Sequence, residues 1–281
     1  MLEFAKGHGT RNDFVLLTDA DDARPLSEAD VRFLTDRRAG IGGDGVLRAV
    51  RARRVAGWAG DPDLWFMDYR NADGSLAEMC GNGVRVFARY LVEEGLVPAD
   101  TTTIELGTRA GLRSAELLPD GRVRVWMGRP TTSHETTTVH LGDRQWPATG
   151  VDVGNPHAVV VLVDGDDLAT LDLRDAPAWT PRTNFPHGAN IEFVQHLAPG
   201  RIRMRVFERG VGETDACGTG TVAAASVIAH NNHHQTDGRW IVEVPGGEVE
   251  VDLAGGEAWL TGPAVIVARG HVTLPREEND D

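Results

Sequence analysis

Cysteine occurs only twice in this chain of 281 residues, and both positions share one local pattern. Met79-Cys80-Gly81-Asn82-Gly83 leads into the largely apolar run Val84-Arg85-Val86-Phe87-Ala88-Arg89-Tyr90-Leu91. Ala216-Cys217-Gly218-Thr219-Gly220 leads into a second run, from Thr221 to Ala229. Each is Cys-Gly-x-Gly at the start of a helical pattern, and the two lie about half a chain apart. The first turn of a helix presents amides that its own ladder does not use, together with a partial positive charge. A thiol placed there ionises more readily and becomes a usable base or nucleophile. Flanking glycines let a ligand carboxylate approach the bare backbone.

A redox pair is usually spaced Cys-x-x-Cys, and nucleophilic catalysis needs one thiol with a base. Proton transfer at a carbon from both faces uses two: a thiolate removes a proton and an opposing thiol returns one. Inversion of an α-carbon without a cofactor has that symmetry, and two helix starts suit the carboxylate charge that develops. Buried structural cysteines, with glycines that only ease packing, are the plain alternative, and the duplication of the motif argues against it.

Other signals carry less. Gly40-Ile41-Gly42-Gly43-Asp44-Gly45 matches G-x-G-x-x-G, but Asp36-Arg37-Arg38 precedes it where a dinucleotide site needs a buried strand. His230, His233 and His234 could hold a metal, yet they follow a helix in a polar stretch and read as loop, so no metal is expected. Ser75-Leu76-Ala77-Glu78 fits a capping box.

The elements that would position the thiols follow from the pattern. Alternating runs separated by glycine-rich turns dominate, with hairpins at 115–127, about Pro119-Asp120-Gly121, and at 240–253, about Pro245-Gly246-Gly247. Residues 201–206 alternate as cleanly. Helical patterns cover 27–38 with Ser27 as N-cap, 81–94 stopped by Gly95, and 218–230 stopped by Asn231-Asn232. Many strands and few helices predict an α+β fold of antiparallel sheets, and the repeated motif predicts two related domains, each with a helix at its heart.

Lys6 is the single lysine and sits in an apparent first strand, a poor place for a pyridoxal phosphate Schiff base. The formal net charge of −14 argues against nucleic-acid or anionic-membrane partners, the cluster Arg51, Arg53 and Arg54 reading as a solvated face. No stretch approaches a bilayer span and no signal peptide opens the chain, so a cytoplasmic protein is expected.

Taken together, the motifs resemble the diaminopimelate epimerase family. The resemblance runs along the chain through Lys6 to Phe14, Gly40 to Gly45, Tyr69 to Ser75, Met79 to Arg85, Gly154-Asn155-Pro156-His157, Gly188-Ala189-Asn190 and Glu208 to Thr221. Cys-Gly-x-Gly alone would also fit proline and hydroxyproline racemases; the spacing of Asn71 to Cys80 and the Glu208-Arg209 pair favour the epimerase. The resemblance implies two pseudo-symmetric domains, 1–128 and 129–262, each a mostly antiparallel sheet curled around a central helix, with the strand in 263–281 returning to the first. It implies conversion of LL-2,6-diaminopimelate to the meso isomer without cofactor, on the route to lysine and peptidoglycan, by a homodimer. Cys80 and Cys217 would be the acid/base pair, with His157 and Glu208 polarising the thiols. Asn12, Asn71, Gly81, Asn82, Asn155, Asn190, Glu208, Arg209, Gly218 and Thr219 would bind substrate, Arg209 taking a carboxylate by its planar fork. Two positions depart from the family: Gly45 where a glutamine is frequent, and Arg11 where a glycine is common. A thiol-based redox protein is the remaining alternative.

Overall fold

A computed structural model describes residues 1–163, 165–231 and 237–275. The chain divides into two compact units, residues 1–125 with 263–281, and residues 126–262. The expected His233 and His234 lie outside the described residues.

The first unit is built on strands β1 (Leu2–Gly9), β2 (Asn12–Thr18), β3 (Gly45–Arg51), β4 (Trp65–Asn71), β5 (Thr103–Thr108), β6 (Gly111–Leu117) and the first half of β7 (Val123–Gly128), with helices α1 (Glu28–Thr35) and α2 (Gly81–Glu93). The second contains β8 (Thr131–Thr132), β9 (Thr137–Leu141), β10 (Arg144–Asp152), β11 (Pro156–Val161), β12 (Ala178–Thr180), β13 (Asn190–Ala198), β14 (Arg201–Glu208), β15 (Gly212–Thr214), helix α3 (Gly218–Asn231), β16 (Gly238–Val244), β17 (Gly247–Ala254) and β18 (Glu257–Gly262). Strand β19 (Val265–Val272) belongs to the first unit and pairs antiparallel with β1.

Pairing repeats between the units. From β1 to β7 the neighbours run antiparallel, parallel, antiparallel, parallel, antiparallel, antiparallel. In the second unit, β10, β11, β13, β14, β16, β17 and β18 follow the same succession. This is the mostly antiparallel α+β architecture expected, in two copies. Each sheet wraps its helix. Helix α2 packs on β1, β2, β3, β6 and β19, and α3 on β10, β11, β13, β14, β16, β17 and β18. Both helices are accordingly buried along almost their whole length, α3 exposing no residue before its last turn. Gly95, at φ +66°, supplies the left-handed residue that ends α2.

The capping box forms elsewhere than at Ser75–Glu78. Ser75 closes a turn instead, its amide and hydroxyl both donating to Asp73. The reciprocal box is at Ser27 and Asp30, at the start of α1.

Candidate active site

Cys80 is the N-cap of α2, and its Sγ accepts from the Gly83 amide at 3.4 Å. The thiol donates to Asn12 Oδ1 at 3.4 Å, and Asn82 Nδ2 donates to the same oxygen at 3.3 Å. Asp44 Oδ2 takes Asn12 Nδ2 at 2.8 Å and so fixes which end of the amide faces the sulfur. Asp44 is held in turn by Arg37, which also pairs with Asp13, and Asp13 pairs with Lys6. With two cations against one carboxylate, Asp13 is lowered to about 2 in spite of its desolvation.

Asn12 reaches Cys80 because of a tight hairpin. Gly9 pairs with Asn12, and the two intervening residues, Thr10 and Arg11, have φ of +55° and +63°. Both lie in the left-handed region that a two-residue hairpin turn demands. That accounts for the glycine common in the family at Arg11. Asn71 ends β4 opposite Gly45, at the same edge of the sheet; its Nδ2 donates to Ser75 Oγ at 3.0 Å rather than to the thiol. At Gly45 a Cβ would lie 2.5 Å from the Arg70 carbonyl oxygen, so a glutamine needs this edge to open.

Cys217 stands just before α3, buried, with Sγ accepting from the Gly220 amide at 3.4 Å and 3.4 Å from Thr219 Oγ1. Around it the second sheet places acidic groups. Glu208 ends β14 and accepts from Thr214 Oγ1. Glu192, fully buried on β13, accepts from His157 Nδ1 at 2.7 Å, and His157 Nε2 lies 2.9 Å from Asn155 Oδ1. Burial, reinforced by the charges of Glu208 and Glu192, pushes the Cys217 thiol well above its ordinary value. Burial also raises Glu208, against hydrogen bonds from Thr214 and Cys217. This helix start favours a protonated sulfur.

The remaining expected residues flank these groups. Asn190 begins β13, and its Oδ1 accepts from the Arg209 amide at 2.9 Å, so this amide shapes the Glu208-Arg209 corner. Arg209 lies over Gly188, whose Cβ would meet its Cδ at 2.9 Å, and is exposed with no carboxylate partner among the described residues. Gly81-Asn82 and Gly218-Thr219 form the first turns of α2 and α3, where amides lie outside the helical ladder. Glu192 was not foreseen from the sequence. Its signal was a carboxylate in the otherwise apolar run Ile191 to Val194.

Each helix start thus joins a thiol to amides that suit a carboxylate. Among the described residues no group of metal-ligating side chains gathers, and no helix is long and apolar enough to cross a membrane. A family model described as diaminopimelate epimerase matches residues 4–133 and 149–274. Relatives named diaminopimelate epimerase include those of Thermobifida fusca, 50% identical over 97% of this chain and 98% of that protein, and Corynebacterium glutamicum, 48% identical over 97% and 99%. Among solved structures, a probable proline racemase from Agrobacterium radiobacter covers 99% of this chain and 95% of its own, at TM-score 0.69 and 18% identity. A hydroxyproline epimerase from Agrobacterium vitis covers 96% and 91%, at TM-score 0.66 and 15% identity. At such identities these two bear on fold alone.

Proposed function

This chain belongs to the diaminopimelate epimerase family, and we propose that it interconverts LL-2,6-diaminopimelate and its meso isomer by passing protons through Cys80 and Cys217. The observation that carries the reading is the pair of Cys-Gly-x-Gly helix starts in a chain of this family. One sulfur, as thiolate, takes the α-proton, and the C–H electron pair moves toward the carboxylate. The other, as thiol, delivers a proton to the opposite face, so product leaves with the two protonation states exchanged. Inversion requires the thiols to serve opposite faces of one carbon. The first-turn amides at Gly81-Asn82 and Gly218-Thr219 stabilise the charge that builds on the carboxylate.

Asn12, Asn71, Asn155 and Asn190 supply neutral donors and acceptors for the substrate's amino-acid heads. Glu208 orients an ammonium and, with His157, polarises the Cys217 thiol. The exposed fork of Arg209, lacking a carboxylate of its own, suits the distal carboxylate. That same feature favours diaminopimelate over a small imino acid, which has no distal head. These steps use no cofactor. The reading carries with it a cytoplasmic homodimer serving lysine and peptidoglycan synthesis, which sedimentation and cell fractionation test. Incubation of reduced protein with LL-diaminopimelate and with proline, followed by chiral analysis, tests the activity. Meso-diaminopimelate is expected, and its absence, or turnover of proline in its place, overturns the proposal.

A further inference from the structure

Five residues after Cys80, in the middle of the first sheet's core, α2 carries an arginine. Arg85 is 0% exposed and is the largest fully buried side chain of the described residues. Its Nε donates to the Pro263 carbonyl at 3.2 Å and its Nη2 to Thr10 Oγ1 at 2.7 Å, while Nη1 has no hydrogen-bond partner. No carboxylate pairs with it among the described residues, although buried arginines are ordinarily paired. Burial pulls it down to about 10, and the one titratable group whose charge opposes that shift is Cys80.

Two consequences follow from this placement. Thr10 occupies the left-handed turn that presents Asn12, a conformation costly for a β-branched residue, and the Arg85 bond holds it there. Gly9, whose Cβ would lie 3.0 Å from Arg85 Nη2, leaves just enough room for the guanidinium. The second consequence is electrostatic. The other charged groups toward this helix start, Lys6 on β1, Asp13 on β2, Asp44 before β3 and Arg37 after α1, are paired among themselves. Arg85 stands outside that network. Asn12 Oδ1 accepts from the thiol and favours its protonated form. Against that acceptor stands a full positive charge, which a poorly solvated interior screens little. The position equivalent to Arg85 in α3 is Val222, and the charged groups facing Cys217 are Glu208 on β14 and Glu192 on β13, the latter bonded to His157 on β11.

We propose that Arg85 is a positioning residue that keeps Cys80 as the ionised sulfur of the resting protein and locks the Thr10–Arg11 turn that aims Asn12 at it. The inference rests on Cys80 being one of the two bases proposed above. Its readout is the ionisation of a thiol, so it can fail while the epimerase reading stands, and the reverse.

The experiment follows alkylation of each cysteine by iodoacetamide against pH, resolved by mass spectrometry, in reduced wild-type protein and in variants. In the wild type the Cys80 midpoint is expected below that of Cys217; the opposite order overturns the proposal without any variant being needed. Arg85→Gln is expected to raise the Cys80 midpoint by about one pH unit, an approximately tenfold loss of thiolate at a given pH, and to leave Cys217 unmoved. Its turnover should recover toward alkaline pH. Arg85→Lys restores the charge and should return the midpoint toward wild type. Thr10→Val keeps the charge but loses the anchor, so it should lower kcat/KM equally at all pH values with the Cys80 midpoint unchanged. A merely structural arginine would move neither midpoint, or both alike, and either result contradicts the proposal.

Discussion

Laid on one another through strand register, the two helix starts share a backbone and differ in nearly every side chain behind it. In the first unit Phe14 pairs with Gly45 across β2 and β3; in the second His157 pairs with Asn190 across β11 and β13. Two residues further along these strands, Leu47 stands where Glu192 does. Asn71, opposite Gly45, matches Glu208, and Arg85 matches Val222. The first unit therefore has Phe14, Leu47, Asn71 and Arg85 at the positions where the second has His157, Glu192, Glu208 and Val222. The repeat keeps first-turn amides at each helix start, and under the proposed reaction the surroundings divide the labour. One setting suits a thiolate and the other a thiol, which a reaction that starts with one of each requires.

Removing either sulfur is the most severe way to break the comparison. Cys80→Ala and Cys217→Ala should each lower net epimerisation by at least about 100-fold, the scale of a lost general acid or base, as measured by meso product under reducing conditions. Arg209→Lys keeps the charge and loses the fork; a drop of about 2–5 kcal/mol in transition-state binding is expected from kcat/KM. Activity within a few-fold of wild type would remove Arg209 from the distal carboxylate.

The second glycine of each motif separates the two settings sterically. A Cβ on Gly220 would lie 2.7 Å from Glu192 Oε1, whereas on Gly83 it meets Cys80 Cβ and Leu47 at ordinary contact distances. Gly220→Ala should destabilise by roughly 1–3 kcal/mol, and Gly83→Ala should be neutral or stabilising by up to about 1 kcal/mol, in chemical denaturation. Equal effects would show that the carboxylate does not crowd α3.

Charge can be removed with shape kept. Glu192→Gln still accepts from His157 but carries no charge to oppose ionisation, so the Cys217 midpoint should fall by about one pH unit with Cys80 unmoved. The same shift has a stability consequence. A native thiol held above its ordinary value keeps its proton after the unfolded chain has lost it, so stability should decline by about 1.4 kcal/mol per pH unit above the ordinary thiol range. Glu192→Gln should blunt that decline. The smallest loss of stability expected is at α1, capped by an ordinary hydroxyl: Ser27→Ala should cost about 1 kcal/mol in denaturation and leave kcat/KM alone.

Much of this was legible in the chain, for local reasons. The three helices and the two hairpins announce themselves by period and by turn residues, and the thiol motifs by duplication. The false capping box at Ser75 shows the limit of such signals. Its spacing is right, but Gly74 at φ +93° and the bonds to Asp73 spend the serine on a turn, and a thiol caps the helix five residues later. What local pattern could not show was which polar side chains become interior. Glu192 interrupts an apolar run in the sequence, and α3 lies over the strand face that buries it. Arg85 reads as a polar spot on a helix surface until strands close on every side. The parallel pairings, which set Phe14 against Gly45 and His157 against Asn190, join segments far apart in sequence and leave no mark in either.

The division of labour is tested most directly by isotope exchange in heavy water with Cys80→Ala and Cys217→Ala. A surviving thiolate can remove the α-proton from its own face and return a solvent deuteron there, since thiol protons exchange with solvent. Each variant should therefore label one isomer of diaminopimelate without inverting it, and the labelled isomer should differ between the two. Labelling of both isomers by a single variant, or full epimerisation by either, would contradict the assignment of one thiol to each face.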